Sequence, residues 1–461
     1  MTTEELRKSL LAEKKNGYTR ITAEQREEMN AYCKRYMAFM DACKTEREAT
    51  AWAIAEAKKY GFVPFVPGME VKPGDKIYYN NRDKAIALAV IGTEPLSAGS
   101  NICAAHVDSP RLDLKPNPLY EDSEIAYFKT HYYGGIKKYQ WPTVELSLHG
   151  VVCLKDGTNV TITIGEQADE PILMISDLLI HLAGDQMQKT AAQVIAGEQL
   201  NVILGTEPLE GEGSDLVKLH ILKLLNEKYG ITESDFLSAE LNLVPAGKCR
   251  EVGLDRSLIS AYGHDDRVCA YAELAALFTI PTPTKTAVCI LADKEEIGSV
   301  GVSGMQSAYF EHFMGGLCDA QGVKLEDCFA NSFCLSADVS NAFDPNFPEV
   351  SERRNNSQLN YGISICKYTG VRGKGGASDA SAEVMRHIRN TFDNADVIWQ
   401  IATLGKVDQG GGGTVAAYMA NRNIPTVDAG VPVLSMHAPL EIVSKLDCYE
   451  TLLACKAIYL A

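Results

Sequence analysis

Two adjacent carboxylates close an apolar run in Ala287-Val288-Cys289-Ile290-Leu291-Ala292-Asp293-Lys294-Glu295-Glu296-Ile297-Gly298-Ser299. The run reads as a buried strand and Gly298-Ser299 as its turn, so Glu295 and Glu296 lie where the strand gives out. Neighbouring side chains on extended backbone face opposite ways, so one acid can hold a metal while the other moves a proton. Four further segments carry compatible groups. His106-Val107-Asp108 ends another apolar run; residues two apart on a strand share a face, so Asp108 can orient the His106 ring as ligating imidazoles are usually oriented. His264-Asp265-Asp266-Arg267 precedes a helical stretch, where an aspartate serves either as an N-cap or as a carboxylate bridging two cations. Ser336-Ala337-Asp338 ends a third apolar run, and Ser435-Met436-His437 adds a second histidine. Each segment alone has an ordinary structural explanation. Gathered in one place, three carboxylates and two imidazoles suit two zinc-like ions about 3.5–4 Å apart, with a further carboxylate free as general base.

Three other features invite a chemical reading. His181, in Ile175-Ser176-Asp177-Leu178-Leu179-Ile180-His181-Leu182, falls on a stretch with helical spacing and is by default a satisfied helix histidine. Asp408-Gln409-Gly410-Gly411-Gly412-Gly413-Thr414 lacks the Lys-Ser/Thr of a P-loop, and Gly411 reads as a point where a substrate can approach the backbone closely. Lys374, in Arg372-Gly373-Lys374-Gly375-Gly376, can offer a cation. Tyr133-Gly134-Gly135 carries no chemical signal of its own.

The elements that must position these groups follow from patterning. Thr22 with Gln25 resembles a capping box and opens a helical region reaching Tyr60, ended by Gly61 before Pro64 and Pro67. Short strands follow at Ala85–Ile91 and Ile102–Asp108. From Leu114 to about Thr163 the chain is rich in Tyr, Thr and Gly, with strand alternation at Val144–Leu148. Helical stretches are expected over Ser176–Gln188 and Ser214–Tyr229. Beyond Val252, the apolar runs Ala287–Ala292, Phe333–Ala337, Val397–Ala402 and Ile424–Val427 alternate with helical patterns such as Arg267–Thr279 and Ala380–Arg389. That alternation predicts an α/β domain with a largely buried sheet, whose strand ends are the natural place for a site. The expected partition is a discontinuous α/β domain, 1–112 and 256–461, with an inserted β-rich domain at 113–255.

Composition narrows the function. Over 461 residues, 60 acidic side chains against 44 basic give a formal charge of −16, which disfavours nucleic acid. No stretch approaches about 20 uninterrupted apolar residues, so no membrane span is expected. The opening Met1-Thr2-Thr3-Glu4-Glu5-Leu6 has no apolar secretory segment. Thirteen cysteines, with no C-x-x-C pair, point to reduced thiols in a cytoplasmic protein.

In order along the chain, Ala105-His106-Val107-Asp108-Ser109-Pro110, His131-Tyr132-Tyr133-Gly134-Gly135 with Trp141, Asp293–Ser299, Ser336-Ala337-Asp338, Asn341-Ala342 with Pro345-Asn346, and Ser435-Met436-His437 closely resemble the M18 metallo-aminopeptidases. The resemblance runs from about residue 20 onward. It implies a phosphorylase/hydrolase-like zinc exopeptidase domain, with a central mixed sheet flanked by helices, carrying an inserted domain for dimerisation and substrate access. It further implies two Zn2+ per subunit, a ligand set that also accepts Co2+ or Mn2+, acting on short peptides with a free N-terminus. Asp265 would bridge the metals, although Asp266 beside it keeps the assignment open. His106 and Asp338 would complete one metal, Glu296 and His437 the other. Glu295 would be the general base and Asp108 the partner of His106. His181 matches a family histidine that is either a zinc ligand or a contact to a neighbouring subunit's active site, and the latter is preferred here. The resemblance also implies a homododecamer built from dimers. The residue removed is acidic or neutral/hydrophobic, with Lys374 and Gly411 as substrate contacts. The alternatives are a related di-metal hydrolase of other specificity and a catalytically idle assembly or cargo protein on the same fold.

Overall fold

The computed structural model describes residues 1–12 and 14–461. Its centre is a nine-stranded mixed sheet running, edge to edge, Val63–Pro64, Lys76–Asn81, Ala85–Val90, Thr286–Ala292, Ser100–His106, Phe333–Ser336, Thr426–Gly430, Ile363–Cys366 and Trp399–Ala402. The four strands from Thr286–Ala292 to Thr426–Gly430 are mutually parallel. They are buried and mostly apolar on both faces. In Thr286–Ala292, Ala287, Cys289 and Leu291 enter one core while Val288, Ile290 and Ala292 enter the other. A strand covered on both sides has no polar face, which is why these segments read as unbroken apolar runs. Helices Ala23–Ala42, Glu46–Lys59, His264–Thr279, Ala382–Asn394 and Lys445–Tyr459 pack on one face. Tyr309–Ala320, Leu325–Asn331 and Val415–Ala420 pack on the other. The chain thus forms the α/β architecture its alternation predicts.

Two more sheets complete the molecule. A six-stranded antiparallel sheet, built from strands between Arg111 and Pro245, encloses its own apolar core. A five-stranded sheet joins, in order, Arg250–Val252, Leu258–Ala261, Glu441–Ser444, Pro432–Leu434 and Ser340–Asn341. Strand pairing therefore opens the β-rich part at Arg111 and ties Arg250–Val252 to strands near the C-terminal end of the chain.

One helical expectation is refined and another is corrected. The region from Thr22 to Tyr60 is two helices. Thr22 and Gln25 form the predicted capping box, but the chain breaks at Cys43-Lys44-Thr45, where Thr45 and Glu48 cap a second helix. The helix expected over Ser176–Gln188 is replaced by short 3-10 turns at Ile180–Leu182 and Gln186–Gln188. There Leu178, Leu179, Ile180, Leu182 and Met187 are exposed. An amphipathic helix draws most of its stability from packing its apolar stripe, and this stripe has no partner surface among the described residues.

The helix break also anchors the β-rich part. Lys44 Nζ donates to the carbonyls of Pro245 at 2.8 Å and Gly247 at 3.0 Å and pairs with Glu166 at 2.7 Å. His149 lies between Glu48, 2.7 Å from Nδ1, and Glu166, 3.1 Å from Nε2. Burial opposes charge on His149, but the two glutamates outweigh it and raise its pKa. Glu166, despite burial, is held at about 2 by His149 and Lys44. With its folded pKa raised above an unfolded value near 6.5, His149 stabilises fully below about pH 6.5. That contribution is lost as pH rises through the folded value. His149→Gln is expected to lower the melting temperature most at pH 6, by the equivalent of about 2 kcal/mol. Paired thermal melts should show the gap closing toward alkaline pH.

Candidate metal centre

The parallel strands deliver their C-terminal ends to one edge. His106, the last residue of its strand, is in register with Ala292, and Ala104 with Ser336. The chain leaving Ala292 carries Glu295 and Glu296 to this edge, and the chain leaving Ser336 carries Asp338. Asp265 comes from the first turn of His264–Thr279, where it and Asp266 have non-helical backbone angles. His437 lies in the connection between strands Pro432–Leu434 and Glu441–Ser444.

Asp265 is common to two clusters. Its Oδ1 lies 3.2 Å from His106 Nε2 and its Oδ2 3.1 Å from His437 Nε2. Ligand atoms of His106, Asp265 and Asp338 lie within 4.8 Å of one another, and so do those of Asp265, Glu296 and His437. Asp266 turns away and accepts the His106 main-chain N–H at 3.3 Å. Of the two adjacent aspartates, Asp265 is the one set between the histidines. Its neighbours hold it there. Arg267, fully buried, donates to the carbonyls of Gly263, Cys43 and Tyr262, and His264 packs as a neutral imidazole, with burial lowering its pKa to about 3.

Glu295 and Glu296 stand on a 3-10 turn, Glu295–Ile297, rather than on extended backbone. About three residues per turn separates their side chains all the same. Glu295 Oε2 is 3.9 Å from His106 Nε2, while Glu296 Oε1 is 3.6 Å from His437 Nε2. Asp108 fastens the turn. Its Oδ1 accepts the Glu295 N–H at 3.1 Å, and its Oδ2 accepts the Glu296 N–H at 3.2 Å and the Tyr133 hydroxyl at 2.7 Å.

Each imidazole meets a carbonyl oxygen through Nδ1. His106 meets Asp108 O at 3.0 Å and His437 meets Gly135 O at 2.9 Å. A carbonyl only accepts, so Nδ1 carries a proton and Nε2 is the atom turned to the carboxylates. Sequence reasoning missed three of these supports. Tyr133 and Gly135 lie on the β-rich part, and nothing local in Tyr133-Gly134-Gly135 marks them. Glu441 accepts main-chain N–H groups from both Asp265 and His437; the only local sign of it is an acid, two residues after Pro439, opening an apolar strand.

Electrostatics sets these groups against one another. Burial, with Asp108 and Asp265 nearby, lifts Glu295 to about 7. Burial and Asp265 push Glu296 well above the carboxylate range, and burial with Glu295 does the same to Asp338. Asp265 moves the other way: despite burial, the imidazoles of His106 and His437 beside it hold it well below that range. His437 rises to about 10, because Asp265 and Glu296 outweigh its burial. Asp265 Oδ1 and Glu296 Oε1 are buried without a hydrogen-bond partner. Such an acceptor costs about 1–3 kcal/mol, a cost that a cation set among these oxygens and imidazole nitrogens removes. The donor set of two histidines and three carboxylates therefore fits zinc and also accepts cobalt or manganese.

The remaining sequence candidates make no hydrogen bond or ion pair with these groups among the described residues. His181 is exposed on the Ile180–Leu182 turn and makes no hydrogen bond or ion pair among the described residues. Lys374 Nζ is 2.9 Å from Asp379 and sits over the Tyr368 ring at 3.9 Å. Gly411 has φ +106°, and a Cβ there would meet Gly370 O at 1.9 Å, so its close backbone approach is to a neighbouring loop.

Residues 39–459 match the family described as Aminopeptidase I zinc metalloprotease (M18). A probable M18 family aminopeptidase 1 from Clostridium acetobutylicum is 49% identical over 451 residues, spanning 96% of this chain and 97% of the relative. The crystal structure of an M18-family aminopeptidase from Thermotoga maritima is similar with a TM-score of 0.94 at 44% identity, covering 97% of this chain and 99% of that one. The S. cerevisiae mApe1 dodecamer shares the fold, with a TM-score of 0.77 at 20% identity over 94% and 97% of the two chains.

Removing the shared carboxylate tests the geometry. Zinc added to metal-free protein should stabilise the wild type by about 4 kcal/mol at a thousandfold excess over Kd. The same addition should leave the melting temperature of Asp265→Ala unmoved.

Proposed function

The chain belongs to the M18 family of zinc metalloproteases and is a metallo-aminopeptidase, and we propose that it removes single residues from the free N-termini of short peptides at a two-zinc centre built on Asp265. The observation that carries this reading is one carboxylate shared by two clusters, each otherwise furnished with a histidine and an acid. In this reading His106 and Asp338 complete one zinc position, and Glu296 and His437 the other. Bound there, the two ions would polarise the scissile carbonyl, lower the pKa of a water and draw in the peptide's free amine. Glu295 takes the proton of the attacking water and returns it to the departing amine. Its position supports that role. Glu295 stands beside His106, its backbone is tied to Asp108, and no hydrogen bond is directed at its carboxylate among the described residues. Asp108 holds the His106 ring and the Glu295–Glu296 turn at the same time.

The β-rich insert serves dimerisation and access. Its exposed stretch Leu178–Leu182 supports contact with another copy, which would carry His181 to a neighbouring active site. Shared fold with the mApe1 dodecamer is consistent with a homododecamer built from dimers. The residue removed is acidic or neutral/hydrophobic; Lys374, the cation offered to an acidic one, is paired with Asp379. All thirteen cysteines are free thiols, twelve of them buried, in keeping with a cytoplasmic setting. No helix among the described residues is long and apolar enough to cross a membrane.

Glu295→Gln should bind zinc and melt as the wild type does while kcat falls by about 10²–10⁴-fold; wild-type turnover with zinc bound would remove Glu295 from the proton's path. A peptide with a free amine should be cleaved and its N-acetylated form left intact. Leu179→Asp combined with Leu182→Asp should yield a smaller species by light scattering, together with reduced turnover.

A further inference from the structure

Glu441 opens the strand Glu441–Ser444 and is 1% exposed. Both of its oxygens are engaged by main-chain donors: Oε2 by the Asp265 N–H at 2.9 Å and Oε1 by the His437 N–H at 2.7 Å. These two residues come from different elements, the first turn of a helix and the connection between two strands. Among the described residues Glu441 forms no ion pair. A buried carboxylate without one is costly, and packing alone would be better served by an apolar side chain of similar volume. The connection it reaches is itself demanding. Ser435 has φ +60° and His437 φ +65°, a region that non-glycine residues seldom adopt and keep only when their surroundings impose it.

We propose that Glu441 is a positioning residue for the reaction, fixing the distance between Asp265 and His437 and hence the shape of the metal position they share with Glu296. The inference rests on the two-zinc reading above. Both contacts are to backbone, so Glu441 touches neither substrate nor metal and leaves the ligating side chains free. Two N–H groups on one rigid carboxylate define a separation that either contact alone leaves loose. The two metal positions depend on it unequally. His106 is held independently by Asp108, and the Asp265 carbonyl also accepts the Ser109 hydroxyl at 2.6 Å. The main-chain N–H of His437, by contrast, has Glu441 as its partner. Glutamine in its place keeps the volume but offers one acceptor oxygen, setting an NH2 against the other N–H.

The test is a zinc titration of full-length, chelator-stripped protein against a competing chromophoric chelator, run alongside thermal melts of the metal-free proteins. Wild type is expected to bind two ions. In Glu441→Gln one of the two affinities should fall about 10–100-fold while the other holds, beside whatever lowering of the metal-free melting temperature the unmatched buried N–H brings. A lowered metal-free melting temperature with both affinities unchanged overturns the proposal, since that is what a purely structural residue would give. Should Glu441→Gln fail to fold, Glu441→Asp keeps the charge but cannot reach both donors. It should weaken the same ion, and unchanged affinities in it overturn the proposal equally. A wild type that binds fewer than two zinc ions sinks the two-zinc reading and this inference with it.

Discussion

Asp265 sits between two imidazoles, with Glu295, Glu296 and Asp338 close around it in a largely buried space. Carboxylates packed this way repel one another, and burial removes the water that would screen them. Without a cation the cluster limits its charge by keeping protons, which is why Glu295, Glu296 and Asp338 all rise while His437 rises with them. Only Asp265, which takes both histidines, stays firmly ionised. A cation bound among these acids would relieve that repulsion, so in this reading metal binding and stability are linked.

The rest of the architecture reads as the means of holding that cluster. The parallel strands bring His106, the Glu295–Glu296 turn and Asp338 to a common edge, while a separate five-stranded sheet brings His437. The β-rich part is no bystander: the Gly135 carbonyl sets the His437 ring, and the Tyr133 hydroxyl engages Asp108. Its seat on the main body, the Lys44–Glu48–His149–Glu166 network, therefore bears on the geometry of the centre as well as on access to it. Asp108 and Glu441 act alike, each using both carboxylate oxygens on main-chain donors and so tying distant segments together.

Much of this was legible in the chain. The apolar runs ending in His106, in Glu295–Glu296 and near Asp338 are strands, because a sheet buried on both faces takes mostly apolar side chains on both sides. The Thr22–Gln25 cap is where its spacing placed it. What failed did so for lack of a partner or for lack of local signal. The stretch Ser176–Gln188 has helical spacing but no surface to pack upon. The break at Cys43–Thr45, inside a region otherwise helical as expected, is marked locally by the Thr45–Glu48 capping box and held from afar by Arg267 on the Cys43 carbonyl and by Lys44 on the Pro245 carbonyl. The separation of Glu295 from Glu296 comes from a 3-10 turn rather than from strand alternation, with a similar outcome from a different geometry.

By itself, the sequence determined the fold class, the family and the set of groups able to hold metal, since these depend on residue type and periodicity along short stretches. It left open whether Asp265 or Asp266 faces the histidines, because adjacent identical side chains differ only in the direction the backbone gives them. It gave Tyr133 and Gly135 only within a stretch that carries the family resemblance, with no role, and left Glu441 unmarked, because a hydrogen bond to a main-chain group asks for a position in space and hardly at all for a pattern in sequence. Those choices belong to the tertiary structure. Contacts between segments far apart in the chain decide which oxygen points where, and that direction is what turns a collection of acids into a metal centre.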